Sequence, residues 1–122
     1  MDGGFTDSWV ELGKLHSEKK DFVKAMYAYQ QVNDKRVNIT LGWSAYSNKN
    51  FDIAIKAFSN DLGEKEQVVK GHYGLGYTYL HPESKDDRKA EFHLNKVIEL
   101  DSSNEYVEQA RELLNRFKLG IY

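Results

Sequence analysis

The chain has 122 residues, of which 40% are hydrophobic and 30% are charged, and its formal net charge is −2. This length suits one domain with a buried core, and the balanced charge gives no electrostatic reason to expect nucleic acid or an anionic membrane as the main partner. The absence of cysteine excludes disulfides, thiolate nucleophiles and cysteine-based metal sites.

Apolar residues recur at helical spacing along the whole chain, and this pattern predicts seven helices. In chain order they cover residues 7–18, 21–33, 36–48, 51–62, 65–80, 84–100 and 103–118. Ser8 and Glu11 resemble a capping box at the start of the first helix. Pro82 disfavours helical geometry at the residue before it, so we expect the fifth helix to end near Leu80. No apolar run approaches the ~18 residues of a membrane-spanning helix, and no signal peptide is evident, which predicts a cytoplasmic protein.

The first helices of successive pairs share a leucine–glycine step. Leu12-Gly13 is followed by Leu41-Gly42 after 29 residues and by Leu75-Gly76 after another 34. The second helices repeat as well, with a small residue four positions before a large one: Ala25 and Tyr29, Ala54 and Phe58, Ala90 and Leu94. The sequence therefore contains three helix pairs followed by one unpaired helix.

These pairs resemble the tetratricopeptide repeat, whose 34-residue unit carries W-x2-L-G-x2-Y in its first helix and A-x3-F in its second. The first unit here reads Trp9-x2-Leu12-Gly13-x2-His16, and the third reads His72-x2-Leu75-Gly76-x2-Tyr79. The resemblance implies an all-α fold, a right-handed α-α superhelix of antiparallel pairs. It implies a single domain over 1–122, with repeats at about 6–34, 35–63 and 64–102 and a capping helix at about 103–118.

Three features depart from the family pattern. The first unit is five residues short, the third has two extra residues in its inner turn, and Ser102 stands where proline is usual. The small residues have a physical explanation, because Gly13, Gly42 and Gly76 fall where the first helix of each pair crosses the second. We expect a β-carbon at these points to hold the two helices apart.

The stretch "GHYGLGYTYL", residues 71–80, contains the three glycines that first suggest a phosphate-binding loop. Such a loop follows a strand and opens a helix, whereas these glycines lie inside a predicted helix. The four histidines, His16, His72, His81 and His93, lack metal-ligand spacing, and we interpret His16 and His72 as packing residues. Asp86 and Asp87 are interpreted as a solvated turn. We therefore expect no catalytic residue, no metal and no cofactor.

The remaining function is binding. In this family the first helix of each pair lines a concave groove, and an exposed aromatic cluster marks a contact surface. The residues predicted to line the groove are Ile39, Trp43, Tyr46, Tyr73, Tyr77 and Leu80, with the cations Lys14, Arg36 and Lys70 beside them. The rings would hold an apolar segment of a partner and the cations an acidic group. Packing of the same rings against loops or a second copy is the competing interpretation.

One specific ligand is disfavoured. Some co-chaperones of this family bind acidic C-termini through a two-carboxylate clamp, and only Lys70 of the five corresponding positions agrees with it. We expect a non-enzymatic adaptor or scaffold that binds a peptide or protein segment, with no nucleic acid and no membrane insertion. The alternatives are a self-assembling scaffold that uses the same face or the capping helix, and a regulatory domain of a larger protein.

Overall fold

The computed structural model describes residues 3–32, 37–60, 63–100 and 105–118. Within these ranges the chain forms seven α-helices and no strand, which confirms the all-α prediction. The elements are α1 (Gly3–Glu18), α2 (Phe22–Gln30), α3 (Asn38–Ser47), α4 (Phe51–Ser59), α5 (Lys65–Leu80), the 3-10 turn Pro82–Ser84, α6 (Asp87–Leu100) and α7 (Glu105–Lys118). As expected, α5 ends at Leu80, just before Pro82.

Four predicted helix ends are wrong by three residues or more: the start of α1, the ends of α2 and α4, and the start of α6. Helix α1 begins at Gly3, so Ser8 lies inside it, where it is exposed to solvent and the serine–glutamate spacing makes no cap. Helix α4 ends at Ser59, where the prediction placed the end at residue 62. The Ser59 hydroxyl donates to the Ile55 carbonyl over 2.6 Å, and Asn60 then takes an extended conformation. A hydroxyl that bonds to the preceding turn weakens the helix it ends.

The chain divides into two compact units, Met1–Asn60 and Asp61–Tyr122. In the first unit α1 packs on α2, α2 on α3, and α3 on α4. In the second unit α5 packs on α6, and α7 packs on both. The boundary falls close to residue 63, the predicted end of the second repeat, so two helix pairs form one unit and one pair with the last helix forms the other.

The second helix of every pair begins with the same cap. The side chains of Asp21, Asn50 and Asp86 each accept a hydrogen bond from the backbone N–H three residues later, at 3.3, 3.4 and 3.1 Å. A polar side chain at this position satisfies an N–H that the helix leaves without a partner. The preceding turns match in the first two pairs, because Lys20 and Lys49 both have positive φ, 60° and 59°. The internal repetition therefore extends from sequence to backbone conformation.

The glycines have the packing role that the sequence predicts. A β-carbon at Gly13 would lie 2.6 Å from the Tyr29 ring, and one at Gly76 would lie 2.6 Å from Leu94. At Gly42 it would overlap the Phe58 ring. Each glycine therefore leaves space for one large side chain of the second helix, which is Tyr29, Phe58 or Leu94. This close crossing compensates for the ~1 kcal/mol by which glycine weakens a helix relative to alanine.

Buried apolar side chains line the contacts within each unit. The core of the second unit consists of Val69, Leu80, Ala90, Leu94, Val97, Val107, Ala110 and Leu114. These residues come from all three of its α-helices, so α7 covers a surface that the pair α5–α6 would otherwise expose. No helix among the described residues combines the length and the apolar character needed to cross a bilayer.

Candidate functional site

The residues predicted to line a groove are divided between the two units. The first unit contains Lys14, Ile39, Trp43 and Tyr46, and the second contains Lys70, Tyr73, Tyr77 and Leu80. Arg36 lies outside the described residues. Each unit therefore presents its own candidate surface.

In the first unit, the predicted rings are part of an aromatic cluster between α3 and α4. The Trp43 ring lies edge-on to Phe58 at a centroid distance of 5.0 Å and to Tyr46 at 5.8 Å. Tyr46 in turn contacts Phe51 at 5.6 Å. Since Phe58 is buried while Trp43 and Tyr46 are half-buried, the two predicted rings support the core with one side and reach solvent with the other.

The other two predicted residues of this unit, Ile39 and Lys14, do not belong to the aromatic cluster. Ile39 is half-buried at the start of α3. Lys14 is exposed on α1, with its Nζ 3.8 Å from the Glu11 carboxylate. An exposed pair of this kind contributes little to stability, so the Lys14 ammonium is available to an acidic ligand at low cost.

In the second unit, Tyr73, Tyr77 and Tyr106 form a tyrosine cluster between α5 and α7. The Tyr73 ring lies 6.0 Å from that of Tyr77 one turn later and 5.4 Å, edge-on, from that of Tyr106. Tyr77 is 36% exposed, and the other two are half-buried. Tyr106 was not among the predicted groove residues, because that prediction considered only the first helix of each pair, whereas Tyr106 lies on α7.

Burial raises the pKa of Tyr73 to about 12, and the nearby Tyr77, Tyr106 and Glu112 add to the effect. The phenol is therefore neutral throughout the physiological range. A neutral phenol is a poor nucleophile and a poor general base, whereas it donates and accepts hydrogen bonds and offers an apolar ring face. The tyrosine cluster is thus suited to contact rather than to chemistry.

The two remaining predicted residues of this unit lie differently. Leu80 is buried, at 8% exposure, in the core with Leu94 and Val97, so it offers almost no surface to a partner. The Lys70 ammonium lies 3.3 Å from the Glu66 carboxylate one turn earlier. That lysine is only partly accessible and already has an anionic neighbour, so it is a weaker candidate for an acidic ligand than Lys14.

A histidine pair, His72 on α5 and His93 on α6, is an arrangement that sequence spacing did not indicate. Their Nδ1 atoms are 2.9 Å apart, a hydrogen-bond distance at which one ring donates to the unprotonated nitrogen of the other. Tyr79 stacks on His93 at 6.0 Å. Residues separated by 21 positions carry no local signal, and only the packing of α5 on α6 brings them together.

Both histidines are poorly suited to carry charge. Burial lowers the pKa of His93 to about 4, with His72 and Lys89 adding to the effect. Burial and then Lys96 lower the pKa of His72. Among the residues that the structure describes, no group of three or more histidine, aspartate or glutamate side chains could hold a metal ion. The pair is therefore a neutral hydrogen bond in a half-buried aromatic setting.

Comparisons of this chain with protein-family models, with curated proteins and with solved structures find no match.

Proposed function

We propose that this chain is a non-enzymatic protein-interaction module of the tetratricopeptide-repeat kind, and that it binds a peptide or protein segment. The observation that carries the proposal is the tyrosine cluster of α5 and α7. It gathers three phenol rings, of which Tyr77 is the most open. Tyrosine is enriched at protein interfaces because it buries a large area, loses few rotamers and keeps a polar end.

The repeat assignment is supported by contacts that recur in all three pairs. These are the helix caps at Asp21, Asn50 and Asp86 and the close crossings at the three glycines. In this family the first helix of a pair faces the ligand, and α5, which holds Tyr73 and Tyr77, is such a helix. The proposed ligand is an extended or helical segment with an apolar or aromatic anchor.

Tyr77 is the best position for a test. Trp43 has the larger ring, but its replacement would remove a contact to the buried Phe58 and would disturb folding and binding together. Tyr77 is more open, and Phe92 on α6 is a matched control, since it is an exposed aromatic residue, at 54%, of the same unit.

We expect selection from a random phage-displayed peptide library to yield peptides that share an aromatic or aliphatic anchor. Tyr77→Ser should weaken the selected peptides about 30-fold in fluorescence titration, the loss of a residue worth ~2 kcal/mol. Phe92→Ser should leave their affinity unchanged, and both variants should keep the wild-type melting temperature to within a few degrees. The proposal is wrong if selection yields no binder, or if the two variants bind the selected peptides equally well.

A further inference from the structure

A second apolar surface lies on the first helix pair. It consists of Trp9, Leu12 and Leu15 on α1 with Val23 and Tyr27 on α2, and we name it the α1–α2 face. Four of these side chains are well exposed, at 38% for Leu12, 44% for Leu15, 57% for Val23 and 59% for Tyr27. The Trp9 ring joins the two helices, since it lies edge-on to Tyr27 at 6.0 Å.

The equivalent positions of the second pair are filled differently. Val23 and Tyr27 correspond to Asp52 and Lys56 on α4, which are exposed and charged. The helix pair itself therefore does not need apolar residues at these places. A group of exposed apolar side chains, unlike a single one such as Phe92, indicates a contact surface.

Leu12 and Leu15 correspond to Leu41 and Ser44 on α3, which are both buried. In the first unit α2 is the helix that packs on both α1 and α3. Leu12 and Leu15 on α1 are therefore exposed, whereas the residues at the equivalent positions of α3 are covered by neighbouring helices. What the two exposed leucines lack is a second helix of the same kind as α2.

A second copy of this chain supplies that helix. Its α2 presents Val23 and Tyr27, which are both more than half exposed, and its α1 presents Leu12 and Leu15 in return. In a two-fold arrangement the leucines of each copy meet Val23 and Tyr27 of the other. This reciprocity is what an isologous dimer interface requires, because one patch must be complementary to itself.

Area and charge agree with this occupant. The exposed parts of the α1–α2 face amount to roughly 400 Å² per copy, which is about the apolar half of the ~800 Å² that each partner buries in a standard interface. The charged residues beside it are of both signs, and they include the ion pairs of Lys14 with Glu11 and of Lys24 with Asp21. A rim of mixed sign does not repel its own copy, as a rim of one sign would.

We propose that the α1–α2 face is a homodimer interface, in which Leu12 and Leu15 of one copy pack against Val23 and Tyr27 of the other. The α1–α2 face belongs to the first unit and the tyrosine cluster to the second, so the two surfaces share no residue. The proposed homodimer does not depend on the proposed peptide binding.

Sedimentation equilibrium over a roughly hundredfold range of protein concentration tests the proposal. The wild-type chain should approach twice its monomer mass, and Tyr27→Glu should shift the dissociation constant at least 100-fold toward monomer, since it places a charge in an apolar interface. Phe92→Glu is the matched control, because Phe92 lies two residues after the buried Ala90 on α6, as Tyr27 does after Ala25, and is exposed to a similar extent. Phe92→Glu should dimerise like the wild type.

A cross-linking experiment tests the arrangement itself. The chain has no cysteine, so Leu12→Cys and Val23→Cys each introduce a single thiol. Mixed and mildly oxidised, the two variants should form a disulfide-linked heterodimer, whereas Leu12→Cys mixed with Phe92→Cys should not. A wild-type chain that stays monomeric at every concentration overturns the proposal. So does a dimer that tolerates Tyr27→Glu, or equal cross-linking in the two mixtures.

Discussion

Replacing Gly42 by valine is expected to lower the free energy of unfolding by about 3 kcal/mol, a substantial part of the 5–15 kcal/mol typical of a domain. A β-carbon at this position would already overlap the Phe58 ring. Phe58 is buried at 2% exposure and holds Trp43 edge-on, so its ring has little room to move away. The loss should be measured by urea unfolding followed by circular dichroism.

Ser47→Val is the matched control for Gly42→Val. It introduces the same β-branched side chain into the same helix at an exposed position, and its effect should stay within about 0.5 kcal/mol. The Gly42→Val substitution should also cost much less in a chain that carries Phe58→Ala, because the truncated side chain leaves room for the new methyl groups. Additive losses in the double variant would show that the Gly42–Phe58 contact is not the cause.

The histidine pair is expected to make the protein acid-sensitive. An unfolded histidine protonates near its ordinary pKa of 6.5, whereas His93 in the folded chain takes up its proton only near pH 4, because burial, His72 and Lys89 oppose the charge. Between these values the unfolded state binds more protons than the folded state, so stability must fall as the pH falls from 6.5 toward 4. His72 adds to the effect in the same direction.

The expected loss over this range is roughly 2 kcal/mol, less than the full shift implies at ~1.4 kcal/mol per pKa unit, since the pair is only half-buried and solvent screens its charge. His93→Gln keeps a hydrogen-bonding group beside His72 without titrating. Its unfolding free energy, measured by urea titration at several pH values, should depend less on pH than that of the wild type. Identical slopes for His93→Gln and the wild type would contradict this assignment.

The fold could be predicted from the sequence where a residue type has a single structural role. Proline just after a helix end and glycine at a crossing of two helices are such cases, and both Pro82 and Gly76 act as predicted. Helix ends were harder to predict, because serine occurs both at helix ends and inside helices. Ser8 lies inside α1, whereas Ser59 ends α4. The outcome there depends on which backbone group each hydroxyl finds.

The candidate site was harder to predict because exposure is a property of the assembled helices. Leu80 and Tyr77 lie three residues apart on α5, yet the leucine is buried in the core and the tyrosine is partly open. Periodicity places both on the same side of a helix but does not tell how far a neighbouring helix extends over it. The histidine pair and Tyr106 depend in the same way on contacts between residues of different helices.

The turn Pro82–Ser84 shows that the contacts of a repeat can be kept while the length of the repeat changes. It lies between α5 and α6, where the third pair has its two extra residues, and the cap at Asp86 and the crossing at Gly76 are the same as in the other pairs. The caps are 29 and then 36 residues apart, so no constant period of 34 fits them. The same contacts recur in all three pairs, whereas the number of residues between them varies. An alignment of its relatives should therefore be anchored on the three glycines and three caps, with gaps permitted in the turns.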